Sequence, residues 1–146
     1  MEEGADPFDL QRFVDAQRPV IDAARAELRA GRKRSHWMWF VFPQIEGLGR
    51  SAMAQKYAIQ SREEARAYLD HPALGARLRE CAALVLAVEG RSIRGIFGDP
   101  DWLKFRSSMT LFAAVAPEET VFSRTLDKYF NGARDSATLE RLRPEN

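Results

Sequence analysis

Signals that start and stop helices recur along the chain, and they constrain its fold more than any other feature. Asp6-Pro7 supplies an N-cap and a first helical residue, and Leu10, Phe13, Val14 and Gln17 follow at helical spacing. Pro19 opens a second helix, in which Val20, Ala24 and Leu28 form one stripe and Gly31 supplies the stop. Ser51 is placed to cap "AMAQKYAI", and Ser61 with Glu64 reads as a capping box ahead of "REEARAYLDH". His71-Pro72 is a helix junction that restarts the chain into "ALGARLRECAALVLAVEG". That segment has an apolar face at Leu74, Leu78, Cys81, Val85 and Val88, with Gly90 beyond it. Asp99-Pro100 leads into "DWLKFRSSMTLFAAVA" and Pro117 into "EETVFSRTLDKYFNG", and Ser136 is placed to cap a last short helix through Leu142. No segment alternates with the period of a strand, and no Asn-Gly or Asp-Gly pair sits between two such segments. The expected fold is all-α: a single compact multihelical domain over residues 1–146, with about seven or eight helices and frayed ends at 1–5 and 143–146.

Within that pattern "WMWFVF", residues 37–42, stands apart as an unbroken apolar run between Ser35 and Pro43. Its length suits a buried strand or a short buried helix. A lone strand would have no partner, and Ser35 is a good N-cap, so a core helix is expected.

Composition narrows the function classes. There are 22 Lys and Arg against 21 Asp and Glu, a net charge of +1, so only a local patch could attract nucleic acid or a membrane surface. Cys81 is the lone cysteine, which rules out an internal disulfide or a cysteine-based zinc cluster, and His36 and His71 are too few for a histidine-rich metal site. No metal and no cofactor are expected. The acidic start "MEEGADPFDL" lacks the apolar core of a signal peptide, and no apolar run approaches the roughly 20 residues that span a bilayer. A cytoplasmic protein without membrane contact is the expectation.

The segments "DPFDLQRFVDAQ", "AELRAGRKRSHWMWFVFPQIEGLGRSAMAQKYAI", "ARAYLDHPALGARLREC" and "LKFRSSMTLFAAVAP" resemble a widespread bacterial family of unknown function, over about Asp6 to Asn131. The resemblance implies a small, single-domain, multihelical fold and carries no catalytic residue with it. The label calpastatin sometimes attached to the family is at odds with the residues. Such inhibitors are disordered repeat proteins, whereas this chain is rich in aromatics and free of repeats.

Candidate chemistry gathers in "RKRSHWMWFVFPQIEGLGRS", residues 32–51, and in "KFRSSMT", residues 104–110. In "GLGRS", Gly47 and Gly49 allow a tight turn with exposed amides. Ser51 opens the next helix, and the Arg50 guanidinium beside it suits a phosphate or carboxylate. The plain alternative is a helix-to-helix turn with a solvated arginine. On the 104–110 helix, Trp102, Phe105, Met109 and Phe112 share a core face, Arg106 and Thr110 share one flank beside Ser107, and Lys104 and Ser108 share the other. These hydroxyls could line a polar pocket or simply permit close helix packing. His36, beside Arg32, Lys33 and Arg34, is the candidate catalytic base, although it has no visible carboxylate partner.

One cleft would unite these groups: Trp37 (or Trp39) as an aromatic wall, Gln44, Gly47, Gly49, Ser51, Ser107 and Ser108 as polar lining, and Arg50 and Arg106 as cations. Its expected ligand is an anionic small molecule, nucleotide-like or ADP-ribose-like, and whether the cleft binds or also processes it is left open. The rival readings are an RNA or single-stranded nucleic-acid module using the basic run and the tryptophans, and a protein-interaction domain whose aromatics are purely core.

Overall fold

The computed structural model describes residues 5–143, so the frayed ends expected at 1–5 and 143–146 fall almost wholly outside the described part. Ten helices form there: α1 (Gln11–Gln17), α2 (Ile21–Arg29), α3 (Met38–Val41), α4 (Ala52–Lys56), α5 (Arg62–Asp70), α6 (Pro72–Ala87), α7 (Ile93–Phe97), α8 (Asp101–Val115), α9 (Thr120–Phe130) and α10 (Ser136–Arg141). The surplus over the expected number comes from very short helices, and five-residue α7 is too brief to show a stripe. Strand character among the described residues is limited to one parallel bridge between Ile45 and Ile59.

The expected caps at Ser51 and Ser61 form, and His71, expected only as a helix junction, adds a third. Ser51 Oγ accepts from the Ala54 amide, Ser61 Oγ from the Glu64 amide, and His71 Nδ1 from the amides of Ala73 and Leu74. The return bond of the capping box lands one residue early, on the Gln60 amide. Other caps differ from expectation. The Asp6 carboxylate accepts from the amides of Leu10 and Gln11, closing a capped turn, and α1 begins only after it. Asp135, not Ser136, caps α10 by accepting from the Thr138 amide. Asp99 accepts from the Trp102 indole instead of capping α8.

The helices pack around α8, which touches α5, α7, α9 and α10, while α6 gathers α1, α2, α3, α5 and α9. From Phe105 to Ala113 every residue of α8 except Arg106 is buried, so this helix has core on all sides. The 37–42 run supplies the centre: α3 is a helix, Trp37, Met38, Phe40, Val41 and Phe42 are buried, and Trp39 is half-buried. Phe42 meets Phe105 edge-on at 5.0 Å, and Phe97 stacks on Phe105 at 4.8 Å. A helix as short as α3 cannot satisfy its own terminal carbonyls. The Phe40 carbonyl is instead served by Gln17 Nε2 at 2.6 Å and by the Tyr68 hydroxyl at 3.2 Å, with Arg77 holding Gln17 Oε1 at 3.2 Å.

The polar part of the 32–37 stretch also has a structural task. Ser35 does not cap α3; its hydroxyl donates to Glu27 Oε2, and Glu27 Oε1 accepts from the amides of Arg34 and Ser35 and from the Trp37 indole. Lys33 lies against Asp101 at 2.9 Å, donates to the Ser35 carbonyl, and stands over the Trp37 ring. Much of the motif is therefore a receptor for the protein's own Glu27.

Candidate functional site

The Ile45–Ile59 bridge organises the most polar concavity. The Glu46 amide donates to the Ile59 carbonyl and the Ile59 amide to the Gln44 carbonyl, both at 2.8 Å. Ile45 and Ile59 are buried, while Gln44, Glu46 and Gln60, beside them in sequence, border a cavity of about 490 Å³. The opposite wall is the turn into α4: Gly47, Gly49, Arg50 and Gln55. The two glycines serve different ends: Gly47 adopts φ +91, which favours glycine, beside the Arg141 guanidinium, and a side chain at Gly49 would collide with the Ala54 Cβ. Arg141 is also 3.5 Å from Glu46, and Gln55 Nε2 donates to the Arg50 carbonyl at 2.9 Å. The turn is thus held at both ends, while the Arg50 guanidinium is exposed and has no carboxylate partner among the described residues.

A second, smaller recess of about 230 Å³ adjoins the first, sharing Gln44 and Gly49. Across from them stand Lys104 and Ser107 of α8, Asp135, and an apolar rim of Leu48, Pro100, Leu103 and Ala137. Lys104 lies 3.7 Å from Asp101 and over the Trp39 ring at 5.6 Å.

The expected convergence is therefore partial. Gln44, Gly47, Gly49 and Arg50 border the larger cavity, and Gln44, Gly49 and Ser107 meet in the recess. Ser51 is exposed at the cap of α4, next to Arg50. The remaining candidates lie elsewhere. Trp37 is fully buried with its indole on Glu27, so it forms no wall. Arg106 leaves α8 on another side, donating to the carbonyls of Ala133 and Arg134 at 3.0 Å each. Ser108 is fully buried and its hydroxyl has no hydrogen-bond partner among the described residues. His36 is exposed and makes no hydrogen bond or ion pair among the described residues, which leaves it without an orienting group. Cys81 is buried, and that burial pushes its thiol up to about 12, away from nucleophilic chemistry at neutral pH.

The polar lining residues that sequence reasoning did not propose are Gln55, Gln60 and Asp135. Gln60 enters only through the Ile45–Ile59 bridge, which carries no strand periodicity. Asp135 belongs to a cap one residue away from the serine that resembles one. Among the described residues, no group of three or more His, Cys, Asp or Glu side chains is placed to hold a metal ion, and no helix is long and apolar enough to cross a membrane.

The fold and site define a small all-helical domain with an open, amide-rich cleft beside a glycine turn. The chain belongs to the protein family of unknown function DUF1810, whose model matches residues 7–142. Among solved structures it is similar to the conserved hypothetical protein Rv1873 from Mycobacterium tuberculosis, whose crystal structure was determined at 1.38 Å. The two share 58% sequence identity with a TM-score of 0.93, covering 94% of this chain and 98% of that one. No curated protein matches the sequence.

Proposed function

We propose that the protein binds an anionic small molecule in the double cleft beside the 44–50 turn. The observation that carries this reading is the Arg50 guanidinium, uncommitted at the mouth of a cavity whose other side-chain donors are the amides of Gln44, Gln55 and Gln60. An arginine that serves the fold is consumed by carbonyls or carboxylates, as Arg106 is. One that serves a ligand keeps its fork free for a phosphate or carboxylate. A cavity of about 490 Å³ falls within the usual range for small-molecule sites.

The adjoining recess supports a ligand with a second part. Leu48, Pro100 and Leu103 can cover the face of a ring, and Ser107 and Asp135 can meet hydroxyl groups. A phosphate on Arg50 with a sugar or ring in the recess describes nucleotide-like and ADP-ribose-like molecules, and these form the first class to test. The residues supply binding groups but no oriented base or nucleophile, so binding is the proposal and no reaction is assigned.

Calorimetry with phosphate, adenosine monophosphate and ADP-ribose tests the reading, using wild type, Arg50→Ala and Gln44→Ala. The expected result is saturable binding that Arg50→Ala weakens by about 1.5–3 kcal/mol, the range for a lost charge-assisted hydrogen bond. Absence of binding by wild type for every anion, or binding that Arg50→Ala leaves intact, overturns it.

A further inference from the structure

A second face carries the part of the basic run that the fold does not consume. The 31–33 segment is pinned against α7, because the Lys33 amide donates to the Ile96 carbonyl at 2.7 Å and Gly31 packs on the Arg91 stem. Arg32 thus follows directly on a residue that lies against Arg91. Arg32 and Arg91 are exposed, and neither meets a carboxylate among the described residues. Beside them opens a concavity of about 570 Å³, bordered by Arg91, Ser92, Arg94, Trp102, Lys128 and Tyr129. It shares no residue with the cleft described above.

This face joins cations to a layered aromatic surface. The Arg94 guanidinium lies 4.7 Å from the centre of the Trp102 ring, and Trp102 stacks on Phe130 at 6.3 Å with only 10° between the planes. Among the described residues, Asp99 lies 3.5 Å from Arg94, Glu89, almost fully exposed, 3.7 Å from Lys128, and Asp101 pairs with Lys33 at 2.9 Å. Lys128 also covers the carbonyls of Leu86 and Val88. With a net charge of +1 over the whole chain, this concentration of cations is a local asymmetry.

We propose that this face binds single-stranded nucleic acid, with phosphates against Arg32 and Arg91 and a base stacked on the Arg94–Trp102 layer. Exposed cations beside a stacking platform are the two components that sequence-tolerant strand binding requires. An acidic peptide would use the cations alone and leave the flat guanidinium–indole layer without a role, which is why a nucleobase is the better fit. The tryptophan that takes part is Trp102 and not Trp37 or Trp39, because Trp37 is buried on Glu27 and Trp39 lies beneath Lys104 on another face.

The test is fluorescence anisotropy with a labelled short oligo(dT) or oligo(U), with poly-glutamate and adenosine monophosphate as competitors. Wild type should bind at low salt, with a slope of log affinity against log salt of roughly −1.4, as expected when about two phosphates are neutralised. Arg91→Glu should weaken binding at least about tenfold and flatten the slope by about 0.7 for each phosphate no longer neutralised. Trp102→Ala should weaken it at least about fivefold, the lower end of one lost base stack, while Trp102→Phe, which keeps a ring on Phe130, should retain most of the affinity. Circular dichroism shows whether Trp102→Ala has folded, and Arg91→Glu, at an exposed site, decides the matter if it has not. Arg50→Ala should change nothing here, which separates this face from the cleft. The proposal is overturned by no binding at low salt, by equal competition from poly-glutamate with no effect of Trp102→Ala, or by loss of binding in Arg50→Ala alone.

Discussion

The indole of Trp37 donates to the Glu27 carboxylate at 2.9 Å, and that bond ties the last turns of α2 to the entrance of the core helix α3. Glu27 receives further bonds from the amides of Arg34 and Ser35 and from the Ser35 hydroxyl. Burial alone would raise the Glu27 pKa. The Ser35, Arg34 and Trp37 donors outweigh it and hold the carboxyl down at about 2, against an ordinary value of 4.5.

The first prediction follows from that carboxylate. Its folded pKa is depressed, so its stabilising contribution is complete above about pH 4.5 and is lost as pH falls through about 2. Glu27→Gln should cost about 2 kcal/mol at neutral pH, a figure already reduced for partial solvent screening. The same variant should show a smaller loss of stability between pH 4.5 and 2 than wild type does. Urea denaturation at a series of pH values measures both, and parallel curves for the two proteins would refute the assignment.

A second carboxylate is tied down more deeply. The Arg12 guanidinium donates to the carbonyls of Phe8, Asp9, Lys56 and Ala58 and to Glu64 Oε2 at 2.8 Å, and the Glu64 side chain is only 2% exposed. Replacing Arg12 with Ala leaves that charge buried without its partner, a defect that typically costs about 3–5 kcal/mol. Chemical denaturation of Arg12→Ala checks this, and a loss under about 1 kcal/mol would mean that water reaches Glu64.

These two pairs mark where the sequence could be read and where it could not. The caps at Ser51 and Ser61 were legible, because each bonds to an amide the chain itself brings close, while at α10 the neighbouring Asp135 took the place of Ser136. The core face of α6 with Cys81 was legible too, because periodicity is a local property. Glu27 looks like one more solvated helix charge until the chain turns back at Gly31, at φ +75. The site was half legible for the same reason. The glycine turn announces itself, but the partners of Gln44 depend on a bridge to Ile59, and Ser108 and Thr110 became interior because α8 is surrounded by core.

The last prediction separates the two arginines that the sequence placed together. Arg106 donates through two nitrogens to the Ala133 and Arg134 carbonyls and sits 5.7 Å from the Phe130 ring centre, fastening the segment between α9 and α10 to α8. Among the described residues, Arg50 makes no hydrogen bond or ion pair through its side chain. Arg106→Ala should therefore lose about 1–2 kcal/mol, two hydrogen bonds in a partly exposed setting, and lower the melting temperature by several degrees. Arg50→Ala should stay within about 0.5 kcal/mol of wild type, as surface substitutions do. Arg106→Lys should recover little, because an ammonium lacks the fork that reaches both carbonyls at once. Differential scanning calorimetry of the three variants, without added ligand, makes the comparison. Equal destabilisation by Arg50→Ala and Arg106→Ala would mean that Arg50 is also a strut, and would remove the uncommitted cation on which the cleft depends.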